Sequence, residues 1–311
     1  MPTPADVAAA RERIRPFVHV TPVLTSAALD AERGAALFFK CENFQKTGAF
    51  KARGAHNAVY ALSEAEAARG VLTHSSGNHG AALALAARTR GIPATVVVPQ
   101  GAVGPKVDAI RRHGATVVMC GPTLAEREAE AARLERDSGA VFVHPSNDAR
   151  VIAGQGTAAL ELLEQEPGLD TLVAPVGGGG ILSGTALAAA GRPILVYGAE
   201  PAEADDGARS LREGRLLPAG PSRTIADGLR SSLGDLTFAI IRARVAAILT
   251  VTEEQIRDAM GELSQYLQIV VEPSSAVAYA AVAANPDTFR GRRVGILLTG
   301  GNVERTPAAG A

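Results

Sequence analysis

Short, solid apolar runs alternate with alanine-rich stretches along the whole of this sequence, and no other feature limits its fold as strongly. The runs Leu37–Lys40, Val71–His74, Ala94–Pro99, Thr116–Met119, Val141–His144, Leu172–Val176, Ile194–Tyr197, Ala247–Val251 and Val294–Leu298 read as strands. Most are continuous rather than alternating in polarity, as in sheets covered on both faces. Helical stretches separate them, among them Gly80–Arg90, Gly104–His113, Thr123–Asp137 and Glu253–Leu267. The pattern predicts an α/β fold of right-handed βαβ units around open parallel sheet. Asp205–Gly228, with its prolines and glycines, reads as an irregular surface stretch.

Three predicted strands run into loops rich in glycine and hydrogen-bond donors: HSSGNHG, PVGGGGILSG and LTGGN. Ligands of open α/β sheets bind beyond the carboxyl ends of strands, so the three loops predict one composite site. Gly177, Gly178, Gly179 and Gly180 lie between a strand and a helix. Without Cβ atoms their amides can close around an anion at the helix start. A flexible turn is the alternative, but four consecutive glycines are entropically costly there. No Gly-Lys-Ser/Thr follows, and Leu182 occupies the last glycine position of a dinucleotide fingerprint. A nucleotide reading survives only through Glu200, which stands further along the chain.

Lys51, in QKTGAFKARG, has small and aromatic neighbours. A solvated helix lysine is one reading. Burial is the other, and a desolvated lysine has a lowered pKa and forms Schiff bases. A phosphate cup with such a lysine is the minimum equipment for pyridoxal phosphate. Ser75, Ser76, Asn78 and His79 could hold a substrate carboxylate at a helix start, or could serve as an ordinary N-cap.

Taken in order, AFKARG, SSGNHG, PVGGGGILSG and LLTGGN resemble the fold-type II pyridoxal-phosphate enzymes, within them the serine racemase and serine/threonine dehydratase group. KCENFQKTGAFKARGA, VVPQ, HPSND, IAGQGT, AEPAEADD, TIADGL and EPSSAV extend the resemblance over nearly the whole chain. It implies two α/β domains of tryptophan-synthase-β-like architecture, a large one from residues 1–64 and 146–311 and a small one from 65–145, with the cofactor between them. It implies that Lys51 carries the cofactor and moves α-protons on one face, and that Phe50 packs beside the ring. Asn78 would bond the ring hydroxyl, Gly177 to Gly180 the phosphate and Thr299 the pyridine nitrogen. A neutral hydroxyl at that nitrogen weakens the electron sink, which suits β-elimination better than transamination. Ser75, Ser76, Asn78 and His79 would receive the substrate carboxylate. Ser76 matches the serine that racemases use as acid/base on the opposite face. Arg127 falls where those racemases carry an arginine, although it also reads as an exposed residue on a charged helix.

Within the metal loop that the resemblance implies, Glu200, Ala204 and Asp206 supply oxygen ligands for Mg²⁺ or Ca²⁺. Ala49 and Ser146 depart from the group's usual serine and asparagine. Ala81 and His113 replace the glutamine and tyrosine of the nucleotide effector site, so ATP activation is not expected, though Asn302 is retained.

The expected activity is dehydration and deamination of L-serine or L-threonine to a 2-keto acid and ammonia. Alternatives are racemisation of serine or aspartate, deamination of threo-3-hydroxyaspartate, and, from another class, a catalytically silent cofactor- or amino-acid-binding protein. With 31 basic and 32 acidic residues there is no excess charge for nucleic acid. No apolar run approaches a membrane span, and the charged N-terminus is unlike a signal peptide. Two well-separated cysteines suit a reducing, cytoplasmic setting. A homodimer is expected. The chain runs only a few residues past LTGGN, so no C-terminal regulatory domain is expected.

Overall fold

The computed structural model describes residues 1–102 and 104–303; the end of the expected large domain, 304–311, lies outside them. Ten strands form two sheets among the described residues: β1 (Val23–Leu24), β2 (Ala36–Cys41), β3 (Val71–His74), β4 (Ala94–Pro99), β5 (Thr116–Cys120), β6 (Val141–Phe142), β7 (Thr171–Pro175), β8 (Leu195–Pro201), β9 (Ala247–Val251) and β10 (Arg293–Leu298). One sheet has the order β1-β2-β10-β7-β8-β9 and the other β5-β4-β3-β6. Every pairing is parallel except β1 with β2, as expected of continuous apolar strands under helices. No helix is long and apolar enough to cross a membrane among the described residues.

All nine expected strands are present, three with the expected bounds and six with shifted ends. β6 stops at Phe142 because the next residues turn: the His144 ring accepts the amides of Ser146 and Asn147 at 3.1 and 2.8 Å. The stretch expected to be irregular after Asp205 instead opens with a helix, Asp206–Glu213. Its first turn is capped from another strand, since the Glu200 carboxylate accepts the amides of Gly207 and Ala208 at 3.1 and 2.8 Å. A local reading of turn residues does not see a tertiary cap.

One helix, Ala149–Gln165, holds two others in place through glycines. A Cβ on Gly154 would lie 2.7 Å from the Gly54 Cα, and one on Gly184 would lie 2.4 Å from the Gly156 nitrogen. The GQG of this helix therefore lets the helices Lys51–Tyr60 and Gly180–Ala188 approach to backbone contact. A buried charge network ties the same elements to β2. Arg53 donates to Glu42 at 2.7 Å and to Glu161 at 2.9 Å, and Lys40 donates to Glu161 at 2.6 Å. Thr21 and Gln165 complete the partners of Glu42 and Lys40 at 2.6 and 2.7 Å. Two cations face two carboxylates, and all four residues are almost fully buried.

Removing one member of such a network strands its partners in low dielectric. Glu161→Ala is expected to destabilise the protein by ~3–5 kcal/mol in denaturant titration. Arg133→Ala, at an exposed ion pair, should stay within ~0.5 kcal/mol of wild type.

Candidate active site

The loops beyond the carboxyl ends of both sheets open onto one cavity of about 600 Å³. Phe50, Lys51, Ser75, Ser76, Asn78, His79, the four glycines Gly177, Gly178, Gly179 and Gly180, and Thr299 all line it. Lys51 opens its helix at the cavity floor, and its Nζ donates to the Pro145 carbonyl at 2.8 Å, 5.0 Å from the centre of the Phe50 ring. Burial lowers its pKa to about 8, with Glu272 the opposing charge. A useful fraction of free amine is thereby present near neutrality. The lysine segment is pinned to the LTGGN loop, since Phe50 N donates to Thr299 O at 2.9 Å and Ala49 bridges Gly300.

The glycine loop is as tight as a cup for an anion requires. A Cβ on Gly178 would meet Ser146 Oγ at 2.2 Å, and one on Gly177 would meet the Leu229 Cα at 2.9 Å. Gly179 has φ +80°, open to glycine at little cost, and Gly180 begins a helix whose first amides lack intrahelical acceptors. These residues fit the phosphate of a cofactor whose aldehyde would meet Lys51.

The SSGNHG loop differs from an ordinary cap. The N-cap of the helix Asn78–Arg90 is Gly77, and no side chain caps it, so its first turn is open toward a ligand. The Ser76 hydroxyl makes no hydrogen bond among the described residues. His79 is buried, with Nε2 3.3 Å from the Val143 carbonyl and Nδ1 without a partner. A carbonyl only accepts, so the ring proton sits on Nε2. Burial drives the pKa of His79 well below its usual value.

Two cavity residues escaped the motif reading, and a third was read as exposed. His144 takes two backbone amides on Nδ1, so it is neutral with its proton on Nε2, and burial lowers its pKa to about 4. Glu272 is buried beneath Asn78, whose Nδ2 donates to its two oxygens at 3.0 and 3.1 Å. Arg127 is half-buried on the helix Leu124–Ser138 rather than exposed, and its Nε is buried without a partner. HPSND and EPSSAV were visible as motifs, but nothing in their spacing shows that they face the cavity.

Glu200 and Asp206 lie apart from this cavity. Burial pushes their carboxyls up to about 8 and about 6, and Asp206 Oδ2 is buried without a partner. Among the described residues no basic side chain pairs with either, and no cluster of three metal-ligating side chains forms. Two uncompensated carboxylates beside the short turn Ala202–Ala204 suit a hard cation bound through carboxylates, a carbonyl and water.

A two-sheet α/β enzyme with a desolvated lysine facing a glycine cup is the class that this fold and cavity define. A family profile described as "Pyridoxal-phosphate dependent enzyme" matches residues 14–300. The chain belongs to that family, in its fold-type II branch. It is 49% identical over 306 residues to a β-hydroxyaspartate dehydratase from Paracoccus denitrificans, covering 98% of this chain and 97% of that one. The crystal structure of a serine racemase from Dictyostelium discoideum superposes with a TM-score of 0.94 at 45% identity, covering 98% and 99% of the two chains. The crystal structure of a T.th. threonine deaminase gives 0.93 at 44% identity, covering 98% and 100%.

Because the Lys51 amine titrates near 8 in the fold and near 10.5 when unfolded, the unfolded chain holds the extra proton between those values. Stability of the cofactor-free protein should rise as pH increases through that window. Thermal denaturation of Lys51→Met should lack the rise.

Proposed function

We propose that this enzyme removes water and ammonia from a β-hydroxy amino acid, and that its preferred substrate carries a second carboxylate, as 3-hydroxyaspartate does. The observation that carries the choice is Arg127, a guanidinium lining the cavity with no carboxylate paired to it among the described residues. The neutral His144 ring lines the same cavity. The dehydratase relative supports the same substrate class.

Bound pyridoxal phosphate supplies the electron sink that acidifies the α-carbon and lets the β-hydroxyl leave. The protein does the rest. Lys51 would hold the cofactor, and its Nζ would carry the α-proton. Gly177, Gly178, Gly179 and Gly180 would hold the phosphate through backbone amides, Asn78 would donate to the ring hydroxyl, Thr299 would meet the pyridine nitrogen and Phe50 would pack beside the ring. Ser75, Ser76, Asn78 and His79 receive the α-carboxylate at the open helix start. Arg127 takes the β-carboxylate. The enamine released hydrolyses in water to the keto acid and ammonia.

A racemase reading is favoured by the unbonded Ser76 hydroxyl, which offers a second proton carrier in the cavity that Lys51 lines. Further proposals are that residues 65–145 form the small domain, that Glu200, Ala204 and Asp206 bind Mg²⁺ or Ca²⁺, and that the protein is a cytoplasmic homodimer. Free, buried Cys41 and Cys120 are compatible with that compartment. The exposed apolar side chains Val20, Phe44 and Val270 support a partner surface.

A substrate screen with keto-acid detection and chiral analysis tests the reading. Wild type should prefer 3-hydroxyaspartate over serine and threonine. Arg127→Leu should lower kcat/KM for 3-hydroxyaspartate by ~10–100-fold, the worth of one charged hydrogen-bonded pair, while changing serine elimination only a few-fold. A wild-type preference for serine that Arg127→Leu leaves intact would refute the dicarboxylate assignment. Ser76→Ala should cost ~10²–10⁴-fold in any racemisation, far more than it costs elimination from the L-substrate.

Chelation should lower the melting temperature by several degrees, and Asp206→Ala should abolish that response. Equal chelator effects in the two proteins would place the cation elsewhere.

A further inference from the structure

A chain of hydrogen bonds starting in left-handed backbone fixes the amide of Asn78. Thr47 has φ +60° and Gly48 φ +71°. A β-branched residue occupies that region only when its surroundings impose it. The turn brings the Thr47 carbonyl to Asn302, whose Nδ2 donates to it at 2.8 Å. A carbonyl only accepts, so the orientation of the Asn302 amide is settled. The second hydrogen of the same Nδ2 goes to Asn78 Oδ1 at 2.9 Å, which settles Asn78 in turn. Asn78 Nδ2 then faces the Glu272 carboxylate. The approach needs glycine at two places: a Cβ on Gly48 would lie 2.4 Å from Asn302 Oδ1, and one on Gly300 would lie 2.8 Å from Glu272 Oε1.

Asn78 Nδ2 carries two hydrogens. Glu272 takes one, and the other remains for the cavity that both residues line. Glu272 is 8% exposed and sits just before the helix Pro273–Ala284. The charged groups facing it are Lys51 from the helix Lys51–Tyr60, Asp227 from the turn Asp227–Leu229, and Lys106 from the helix Gly104–Arg112, itself paired with Asp227 at 2.6 Å. The Asn302 backbone amide also donates to it. Burial pushes its carboxyl up to about 7, against the pull of the Asn78 bond.

We propose that Glu272 is a positioning residue: its carboxylate locks the Asn78 amide with one N–H aimed at the cofactor, and taking up a proton releases that lock. The inference rests on the assignment of Asn78 to the cofactor's ring hydroxyl. When ionised, Glu272 accepts from Nδ2 with both oxygens. When it is protonated, one of those oxygens becomes a donor facing a donor, while Asn302 still holds Oδ1. The Asn78 amide must then turn or lose a bond, and the cofactor loses its donor.

The test follows the visible absorbance of the substrate-free holoenzyme across about two pH units on either side of neutrality. Wild type should pass between two spectra with a single midpoint near 7. Glu272→Gln replaces one acceptor oxygen with an NH2 donor, as protonation does, and cannot ionise, so it should show the low-pH spectrum throughout. Glu272→Met removes the acceptor and should show the low-pH spectrum throughout, with cofactor retained ~10-fold less tightly, as for a lost charge-assisted hydrogen bond. Asn78→Ala, with Glu272 intact, should also lose the transition. A midpoint that survives in Glu272→Gln, or in Asn78→Ala, overturns the proposal, as does a wild type with no transition near 7. Borohydride trapping separates this failure from that of the underlying reading: a wild-type adduct absent from Lys51 refutes the cofactor assignment itself.

Discussion

The site depends on how closely three helix backbones approach one another. Gly154 and Gly156 of a single helix touch Gly54 on one side and Gly184 on the other. Side chains at these positions would push the helices apart, and interiors packed to crystal density have no slack to absorb that. The Lys51 helix and the glycine-cup helix are therefore placed by one rigid element. The distance between Lys51 and the glycine loop is thus set in the core rather than by the loops that carry them.

The buried charges reinforce this arrangement at one end. Arg53 lies two residues beyond Lys51, and its guanidinium is held by Glu42 and Glu161 from two other elements. Such a network adds little net stability over an apolar core of the same shape, but its bonds tie β2 to the two helices. On the cavity side the environment sorts the titratable groups. Burial keeps His79 and His144 neutral, lowers Lys51 to about 8 and raises Glu272 to about 7. Lys51 and Glu272 are left as the pair whose protons are exchangeable near neutrality, one lining the cavity and the other behind Asn78.

Strand positions, parallel sheet, the glycine cup and the lysine were legible in the sequence because each rests on local chemistry. Apolar runs have to be covered, glycines between strand and helix have to fit a close approach, and motifs recur in order. The helix Asp206–Glu213 was not legible, because its cap comes from Glu200 on β8. Arg127 was named from its motif but read as exposed; whether a helix residue faces solvent or a cavity depends on what the helix packs against.

The sequence alone determined the α/β class, through its alternating apolar and alanine-rich runs, and the family, through motifs that resemble it in order. Only the tertiary structure decided which side chains share the cavity. Glu272 is 194 residues from Asn78, and Asn302 is 224. No periodicity links positions that far apart. They meet because β10 lies between β2 and β7, so that the loop after β10 closes over the helix that begins at Asn78.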